Sequence, residues 1–180
     1  MVEPKSRCKA ADCTEAHTKH YCKICKSSDS NHKARNCPQG INLYHGTKVS
    51  VISKIISEGL NPSTSGRIGP GIYFANLDTA MHVANSRGQG TGTVVVRCRV
   101  NASKCKTGHH PKWEGVTPTS FDEWCLQDST SYRITGILLV NGVIDGDINM
   151  PGGDIVISGV CTFRGNITAG NIDGWGGGNF

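Results

Sequence analysis

Four candidate metal ligands lie close together near the start of the chain, with the spacing Cys22-x2-Cys25-x6-His32-x4-Cys37. A Cys-x2-Cys pair lets two thiolates reach one Zn²⁺ ion at about 2.3 Å, and a histidine with a third cysteine can complete a closed tetrahedral site. A closed site leaves no open position for water or substrate, so its zinc is structural. We therefore predict one structural zinc ion bound by these four residues.

A second set of candidate ligands precedes this quartet and consists of Cys8, Cys13, His17 and His20. These residues could bind a second zinc ion, and pairings that interleave the two sets are equally compatible with the spacing. The alternative is that they are free thiols and surface histidines. The segment up to Lys33 lacks the apolar core of a secretory signal, so metal binding is favoured over disulfides for the five cysteines within the first 37 residues.

Residues 1–40 are therefore predicted to form a small zinc-binding module. A segment of this length cannot bury an adequate apolar core, so zinc binding would supply much of its folding free energy. The quartet resembles a zinc knuckle with a stretched middle spacer, and the segment is more basic than acidic. Contact with nucleic-acid phosphates, docking of a protein and a purely structural role all fit these features.

An ordered series of motifs follows the zinc-binding module. The motifs are Tyr44-His45-Gly46-Thr47, an isoleucine-rich segment ending at Glu58-Gly59-Leu60, the block Gly69-Pro70-Gly71-Ile72-Tyr73-Phe74-Ala75, and Asp122-Glu123-Trp124. In this order they resemble the His-Tyr-Glu signature of poly(ADP-ribose) polymerase-like ADP-ribosyltransferases. The resemblance covers residues 41–141, and its most specific part is the long block that contains Tyr73.

The resemblance implies that NAD⁺ is the substrate and assigns a role to each residue of the signature. His45 would bond the adenine-side ribose, and the main chain of Gly46, unobstructed by a side chain, would hold the nicotinamide carboxamide. Tyr73 would stack on the cationic nicotinamide ring. Glu123 would stabilise the oxocarbenium-like centre that forms as the nicotinamide–ribose bond breaks. The predicted catalytic residues are His45, Tyr73 and Glu123, and the predicted NAD⁺-binding residues are His45, Gly46, Thr47, Gly71, Tyr73, Thr79 and His82.

Two positions depart from the pattern of the family. The place of a second stacking tyrosine is taken by Ala84, and the place of a serine that grips the carboxamide is taken by Met81. We expect His82 and Thr79 to substitute for them. Weaker nicotinamide binding follows from these changes, and it favours transfer of single ADP-ribose units over chain elongation.

A β-rich fold must position these residues, because glycines are frequent and aromatic residues are few. Hydrophobic periodicity predicts a helix over Val49 to Leu60, with Ser50 as N-cap and Gly59 as stop, and a second helix over Leu77 to Asn85. The predicted strands are Ile41 to Thr47, Gly71 to Ala75, Thr93 to Val100, Glu123 to Gln127 and Ile134 to Val140. The resemblance implies an α+β fold of the ADP-ribosyltransferase type, with split antiparallel sheets and few helices.

The remaining residues, 142–180, are predicted to form a glycine-rich β-repeat tail. Short apolar strands recur between glycines, which predicts degenerate β-solenoid rungs. Two or three rungs bury little core alone, so they should pack on the catalytic domain or on another copy of the chain. Low-complexity disorder is the alternative, and it is the expectation for Trp175 to Phe180.

Composition narrows the functional classes. No apolar stretch approaches the ~20 residues that a membrane helix needs, so we expect a soluble protein in the cytoplasm or nucleus without a membrane partner. The net charge of +5 helps an anionic ligand approach but does not establish nucleic-acid binding.

The predicted function is that of a glycosyltransferase, moving ADP-ribose from NAD⁺ to a protein or nucleic-acid acceptor recognised through the zinc-binding module. An NAD⁺-dependent RNA 2′-phosphotransferase is one alternative, since it shares an early His-Gly-Thr region. A non-enzymatic interaction protein with zinc and a degenerate transferase fold is the other.

Overall fold

The computed structural model describes residues 19–22, 25, 27–33, 37, 39–110 and 121–174. Two β-sheets and two α-helices form this part of the chain, so the predicted α+β class with split sheets and few helices is confirmed. The strands are β1 Ile41–Lys48, β2 Ile72–Phe74, β3 Gly92–Val100, β4 Cys105–His110, β5 Phe121–Leu126, β6 Tyr132–Asp145, β7 Ile148–Ile157, β8 Cys161–Arg164 and β9 Ile167–Gly174; the helices are α1 Ile52–Glu58 and α2 Leu77–Gly88.

The larger sheet has the order β1-β3-β6-β7-β9, with β8 also paired to β6, and the smaller sheet has the order β2-β5-β4. Strand β3 lies between β1 and β6 and is antiparallel to both. It contains the β-branched run Val94, Val95 and Val96, which is almost fully buried because both faces of the sheet are covered there. On one face α1 and the smaller sheet contribute to the main apolar core, and on the other α2 packs through Ala80 and Ala84.

The ends of the helices follow local sequence signals, with one exception. Helix α1 ends at Gly59, whose φ of 88° suits glycine, as the sequence predicted. The prediction that Ser50 is its N-cap was wrong, because Ser50 lies inside a 3-10 turn over Val49–Val51 and the helix begins only at Ile52. Helix α2 begins after Asn76, whose side-chain oxygen accepts a hydrogen bond from the Thr79 amide at 2.9 Å. Neither helix has the length and apolar character needed to span a bilayer.

The tail strands are stacked in parallel on the last strand of the antiparallel sheet. Gly136 pairs with Asp154, and Asp154 in turn pairs with Asn171. Successive strands are therefore offset by 17 to 19 residues, which is the stacking of solenoid coils. Strand β6 belongs to both arrangements, so the predicted domain boundary at residues 141–142 falls inside a continuous strand. The predicted disorder of Trp175 to Phe180 lies outside the described residues.

The close approach between the tail and β6 can be tested at Gly159, which leads from β7 into β8. A Cβ added there would lie 1.9 Å from the carbonyl oxygen of Val140 in β6. We predict that Gly159→Ala lowers the free energy of unfolding by about 1–3 kcal/mol, as overpacking does elsewhere. Denaturant unfolding measures this change.

Gly152→Ala is the matched control, because a Cβ at Gly152 would have no heavy atom within 4 Å. It should leave the free energy of unfolding unchanged. Equal midpoints for the two variants would contradict the contact between the tail and β6.

Candidate functional site

His45, Gly46, Tyr73 and Glu123 line one cavity of about 140 Å³. The structure therefore brings together all three predicted catalytic residues, although they come from β1, β2 and β5. The other lining residues are Tyr44, Phe74, Ala75, Ala80, Val83 and Arg87.

Main-chain pairing explains why these residues meet. Tyr44 and Ala75 exchange two hydrogen bonds of 2.9 Å, which join the free edge of β1 to the end of β2. Antiparallel pairing of β2 with β5 sets Phe74 opposite Trp124, the neighbour of Glu123. The cavity thus lies where the edge of the larger sheet meets the smaller sheet.

His45 is held as a neutral hydrogen-bond acceptor. Its Nδ1 lies 2.8 Å from the main-chain oxygen of Tyr73. Because a carbonyl only accepts hydrogen bonds, Nδ1 must carry the proton, and in the neutral ring Nε2 is then an acceptor. Burial lowers the pKa of His45 below its usual 6.5, and the nearby charge of Arg87 lowers it further. The ring is therefore uncharged at neutral pH.

Tyr73 is fixed through its hydroxyl group. The hydroxyl donates to the Gly69 carbonyl at 2.7 Å and accepts from the Ile68 amide at 3.0 Å. Burial raises the pKa of Tyr73, so the phenol stays protonated. The Tyr73 ring is therefore an uncharged aromatic surface at the cavity.

Glu123 is partly buried and paired with an arginine. Its Oε2 accepts a hydrogen bond from Nε of Arg67 at 3.1 Å, and the two side chains are 18% and 38% exposed, respectively. Arg67 comes from the loop between α1 and β2. Sequence reasoning missed this residue, since nothing local links it to a partner far along the chain.

Gly46 is required by the packing of α2, which differs from the reason inferred from the sequence. A Cβ at Gly46 would lie 2.0 Å from the carbonyl oxygen of Ala80 and 2.8 Å from the amide nitrogen of Ala84. The space on that side of Gly46 is occupied by the helix backbone and not by a ligand. Arg87 of the same helix donates a hydrogen bond to the Gly46 carbonyl at 3.3 Å.

Arg87 is a second residue that sequence reasoning missed. Together with Ala80 and Val83 it forms the i, i+3, i+7 face of α2 that lines the cavity. This helical spacing was a signal that could have identified it. The predicted helix over Leu77 to Asn85 stopped short of Arg87.

The other predicted NAD⁺-binding residues do not line this cavity. Thr47 is buried in β1, and Thr79 is buried at the start of α2, where its amide bonds to Asn76. Gly71 has a φ of 148° and would place a Cβ 2.6 Å from the Leu126 carbonyl oxygen. His82 lies on a different face of α2 from Ala80, Val83 and Arg87.

The cavity is too small to hold a whole dinucleotide. Its volume of about 140 Å³ is below the roughly 300–1,000 Å³ of typical ligand pockets. Larger cavities of about 620 Å³, 450 Å³ and 440 Å³ are also present, and none of the three predicted catalytic residues lines them.

The four ligands of the predicted zinc site converge. The thiol and imidazole ligand atoms of Cys22, Cys25, His32 and Cys37 all lie within 4.8 Å of one another. Tetrahedral zinc ligands at 2.3 Å from the metal are about 3.8 Å apart, so the cluster has the dimensions of a zinc site. Cys22 and Cys37 are fully buried, and the Cys25 sulfur lies 3.5 Å from Nε2 of His32.

A hydrogen bond orients the histidine of this cluster. Nδ1 of His32 lies 2.9 Å from the side-chain oxygen of Asn31, which leaves Nε2 for the metal. The side chains present therefore fit a structural zinc ion. Of the upstream set, Cys8, Cys13 and His17 lie outside the described residues, so the second zinc ion stays a prediction. His20 is described, and its carbonyl accepts a hydrogen bond from the Ser30 amide.

Comparisons with known proteins identify a family. A family model described as "Poly(ADP-ribose) polymerase catalytic domain" matches residues 12–111, more than half of the 180 residues. His45 and Tyr73 lie inside the matched segment, and Glu123 lies beyond it. Protein mono-ADP-ribosyltransferase PARP3 from Mus musculus is 50% identical over 36 residues, which are 19% of this chain and 7% of that protein. The alignment thus spans a small part of that relative's length. No solved structure matches the chain.

We predict that the purified protein carries one zinc ion in the Cys22–Cys37 cluster. Elemental analysis should find one equivalent, and Cys25→Ser or Cys37→Ser should remove it, because a hydroxyl replaces a thiolate ligand. Cys105→Ser is the control, since this thiol lies outside the cluster. Protein without zinc would overturn the assignment. Two equivalents of zinc would support the second predicted site, formed by Cys8, Cys13, His17 and His20.

Proposed function

Because the chain belongs to the poly(ADP-ribose) polymerase catalytic domain family, we propose that it transfers ADP-ribose from NAD⁺ to a protein or nucleic-acid acceptor and releases nicotinamide. One observation carries the proposal: His45, Tyr73 and Glu123, distant in sequence, line a single cavity. The neutral ring of His45 and the protonated phenol of Tyr73 suit the steps proposed for them.

His45 binds the substrate as an acceptor. With Nδ1–H donated to the Tyr73 carbonyl, Nε2 accepts a hydrogen bond from a ribose hydroxyl. The lowered pKa keeps the ring neutral at physiological pH, so this acceptor is not lost to protonation. His45 therefore contributes to binding of the ground state.

Tyr73 and Glu123 act on the reacting end of NAD⁺. The protonated tyrosine ring offers its face to the pyridinium cation of nicotinamide. When the bond between nicotinamide and ribose breaks, its electron pair leaves with nicotinamide, and positive charge develops on the ribose. The Glu123 carboxylate stabilises that charge until the acceptor attacks and loses its proton. Because the charge exists only near the transition state, Glu123 raises turnover more than affinity.

The residues that α2 contributes to the cavity bear on whether single ADP-ribose units or chains are transferred. Its cavity-lining residues are Ala80, Val83 and Arg87, so this helix contributes no aromatic ring to the described lining. A one-sided stack holds nicotinamide less tightly than a sandwich. This supports transfer of single ADP-ribose units.

The zinc-binding module serves acceptor recognition and stability in this proposal. Its closed ligand set leaves no coordination position for the reaction. Chemistry at Glu123 is therefore independent of zinc, whereas the choice of acceptor depends on the folded module.

We predict that Glu123→Gln lowers the rate of nicotinamide release by about 10²–10³-fold, since the amide keeps the shape but loses the charge. The dissociation constant of NAD⁺ should change little. Asp122→Asn is the matched control, because Asp122 is the adjacent acid and is exposed. Unchanged turnover in Glu123→Gln would remove Glu123 from the reaction, and wild-type protein that binds NAD⁺ without cleaving it would leave only a binding protein.

His45→Ala should weaken NAD⁺ binding by about 2- to 12-fold, which corresponds to one hydrogen bond of roughly 0.5–1.5 kcal/mol. Titration calorimetry of NAD⁺ measures the change. His109→Ala is the control, because His109 is an exposed histidine outside the cavity. Equal affinities for wild type and His45→Ala would contradict the role of His45.

A further inference from the structure

We propose that Arg67 is a positioning residue for Glu123, and that the Tyr73 hydroxyl holds the loop that carries it. This inference rests on the proposed function, since it concerns how Glu123 is aimed at the ribose. Arg67 acts through Glu123 and is not itself a catalytic residue.

The contact between the two side chains is direct. Nε of Arg67 donates to Oε2 of Glu123 at 3.1 Å. The carboxylate is only 18% exposed, so water screens this pair less than it screens an ordinary surface ion pair. An arginine side chain does not give up its proton in proteins. Arg67 can therefore fix the rotamer of Glu123 without transferring a proton to the carboxylate.

The loop around Arg67 is tied to Tyr73 on both sides. The next two residues, Ile68 and Gly69, both hydrogen-bond the Tyr73 hydroxyl. On the other side, Gly66 packs so tightly on Tyr73 that a Cβ would lie 2.2 Å from the phenol oxygen. The position of the Arg67 main chain is therefore set by the Tyr73 ring.

Gly108 provides the space that Arg67 needs. In the pairing of β4 with β5, Gly108 lies directly opposite Glu123. A Cβ at Gly108 would lie 2.6 Å from Cγ2 of Ile68 and 3.2 Å from Nη2 of Arg67. The loop thus crosses β4 at a residue without a side chain, beside the carboxylate that Arg67 bonds.

These contacts join the three residues of the signature. His45 bonds the Tyr73 carbonyl, the Tyr73 hydroxyl bonds the loop, and Arg67 of that loop bonds Glu123. The positive charge of Arg67 partly offsets the field of the carboxylate on the developing cation. Arg67 therefore raises the rate only if orienting Glu123 stabilises the transition state by more than the positive charge of Arg67 destabilises it. The proposed role requires that it does.

A double-mutant cycle tests this role in the full-length protein. Arg67→Met should lower kcat for nicotinamide release by roughly 10- to 100-fold, as expected for a misplaced catalytic group, with little change in KM. In the Glu123→Gln background, Arg67→Met should have no further effect on the single-turnover rate. Arg67→Lys should restore part of the rate, because the charge remains without the planar donor. Arg164→Met, at an exposed arginine of the tail, is the control.

Gly108→Ala supplies an independent perturbation that keeps Arg67. It should lower kcat as Arg67→Met does, and it should add nothing in the Glu123→Gln background. Gly152→Ala controls for the added methyl group. This pair keeps the test decisive if Arg67→Met fails to fold.

The outcomes separate this inference from the proposed function. If the wild-type protein releases nicotinamide and Arg67→Met does so with the same kcat, the positioning role is overturned. The proposed transferase activity then stands. An equal loss in both Glu123 backgrounds would show a structural effect, and a rise in KM alone would make Arg67 a substrate contact; either result rejects the inference. Wild-type protein without nicotinamide release would overturn both proposals.

Discussion

The two hydrogen bonds between the main chains of Tyr44 and Ala75 are the contact on which the site depends. They join the two sheets beside two of the predicted catalytic residues. His45 directly follows Tyr44, and Tyr73 precedes Ala75 by two positions. The His45 ring then reaches the Tyr73 carbonyl, and pairing of β2 with β5 adds Glu123. The hydrogen bonds between Tyr44 and Ala75 use main-chain atoms only. Helix α2 can therefore carry Ala84 and Met81 without loss of the arrangement.

Features with a local cause could be read from the sequence. Gly59 ends α1 because glycine adopts a positive φ, and the β-branched run of β3 fits a strand buried on both faces. The cysteine and histidine spacing predicted the cluster of four potential ligands, because ligands within 16 residues can meet at one ion without long-range folding. Recognition of the signature residues depended on resemblance to a family, since periodicity alone does not link His45 with Glu123.

Features with a distant cause could not be read in the same way. Arg67 meets Glu123 across 56 positions, and no local pattern marks a loop arginine for such a partner. The requirement for glycine at position 46 was attributed to a ligand, whereas the backbone of α2 fills that space. Thr79 and His82 are predicted to bind NAD⁺ because they lie close in sequence to Met81 and Ala84, where the family pattern has a serine and a tyrosine. On a helix, however, neighbours in sequence point in different directions, and the cavity is lined by Ala80, Val83 and Arg87.

Strand β6 is shared by the antiparallel sheet and the parallel tail, so thermal fraying should progress from one end of the molecule. Ile144 in β6 and Ile155 in β7 are fully buried, whereas Ile172 in β9 is 43% exposed. In a stacked array each strand is stabilised mainly by its neighbours. Amide protons should therefore exchange with solvent fastest in β9, more slowly in β7, and slowest in β6, where opening would also break the sheet that carries His45. The tail should thus behave as a graded series of local unfolding units that ends at the antiparallel sheet.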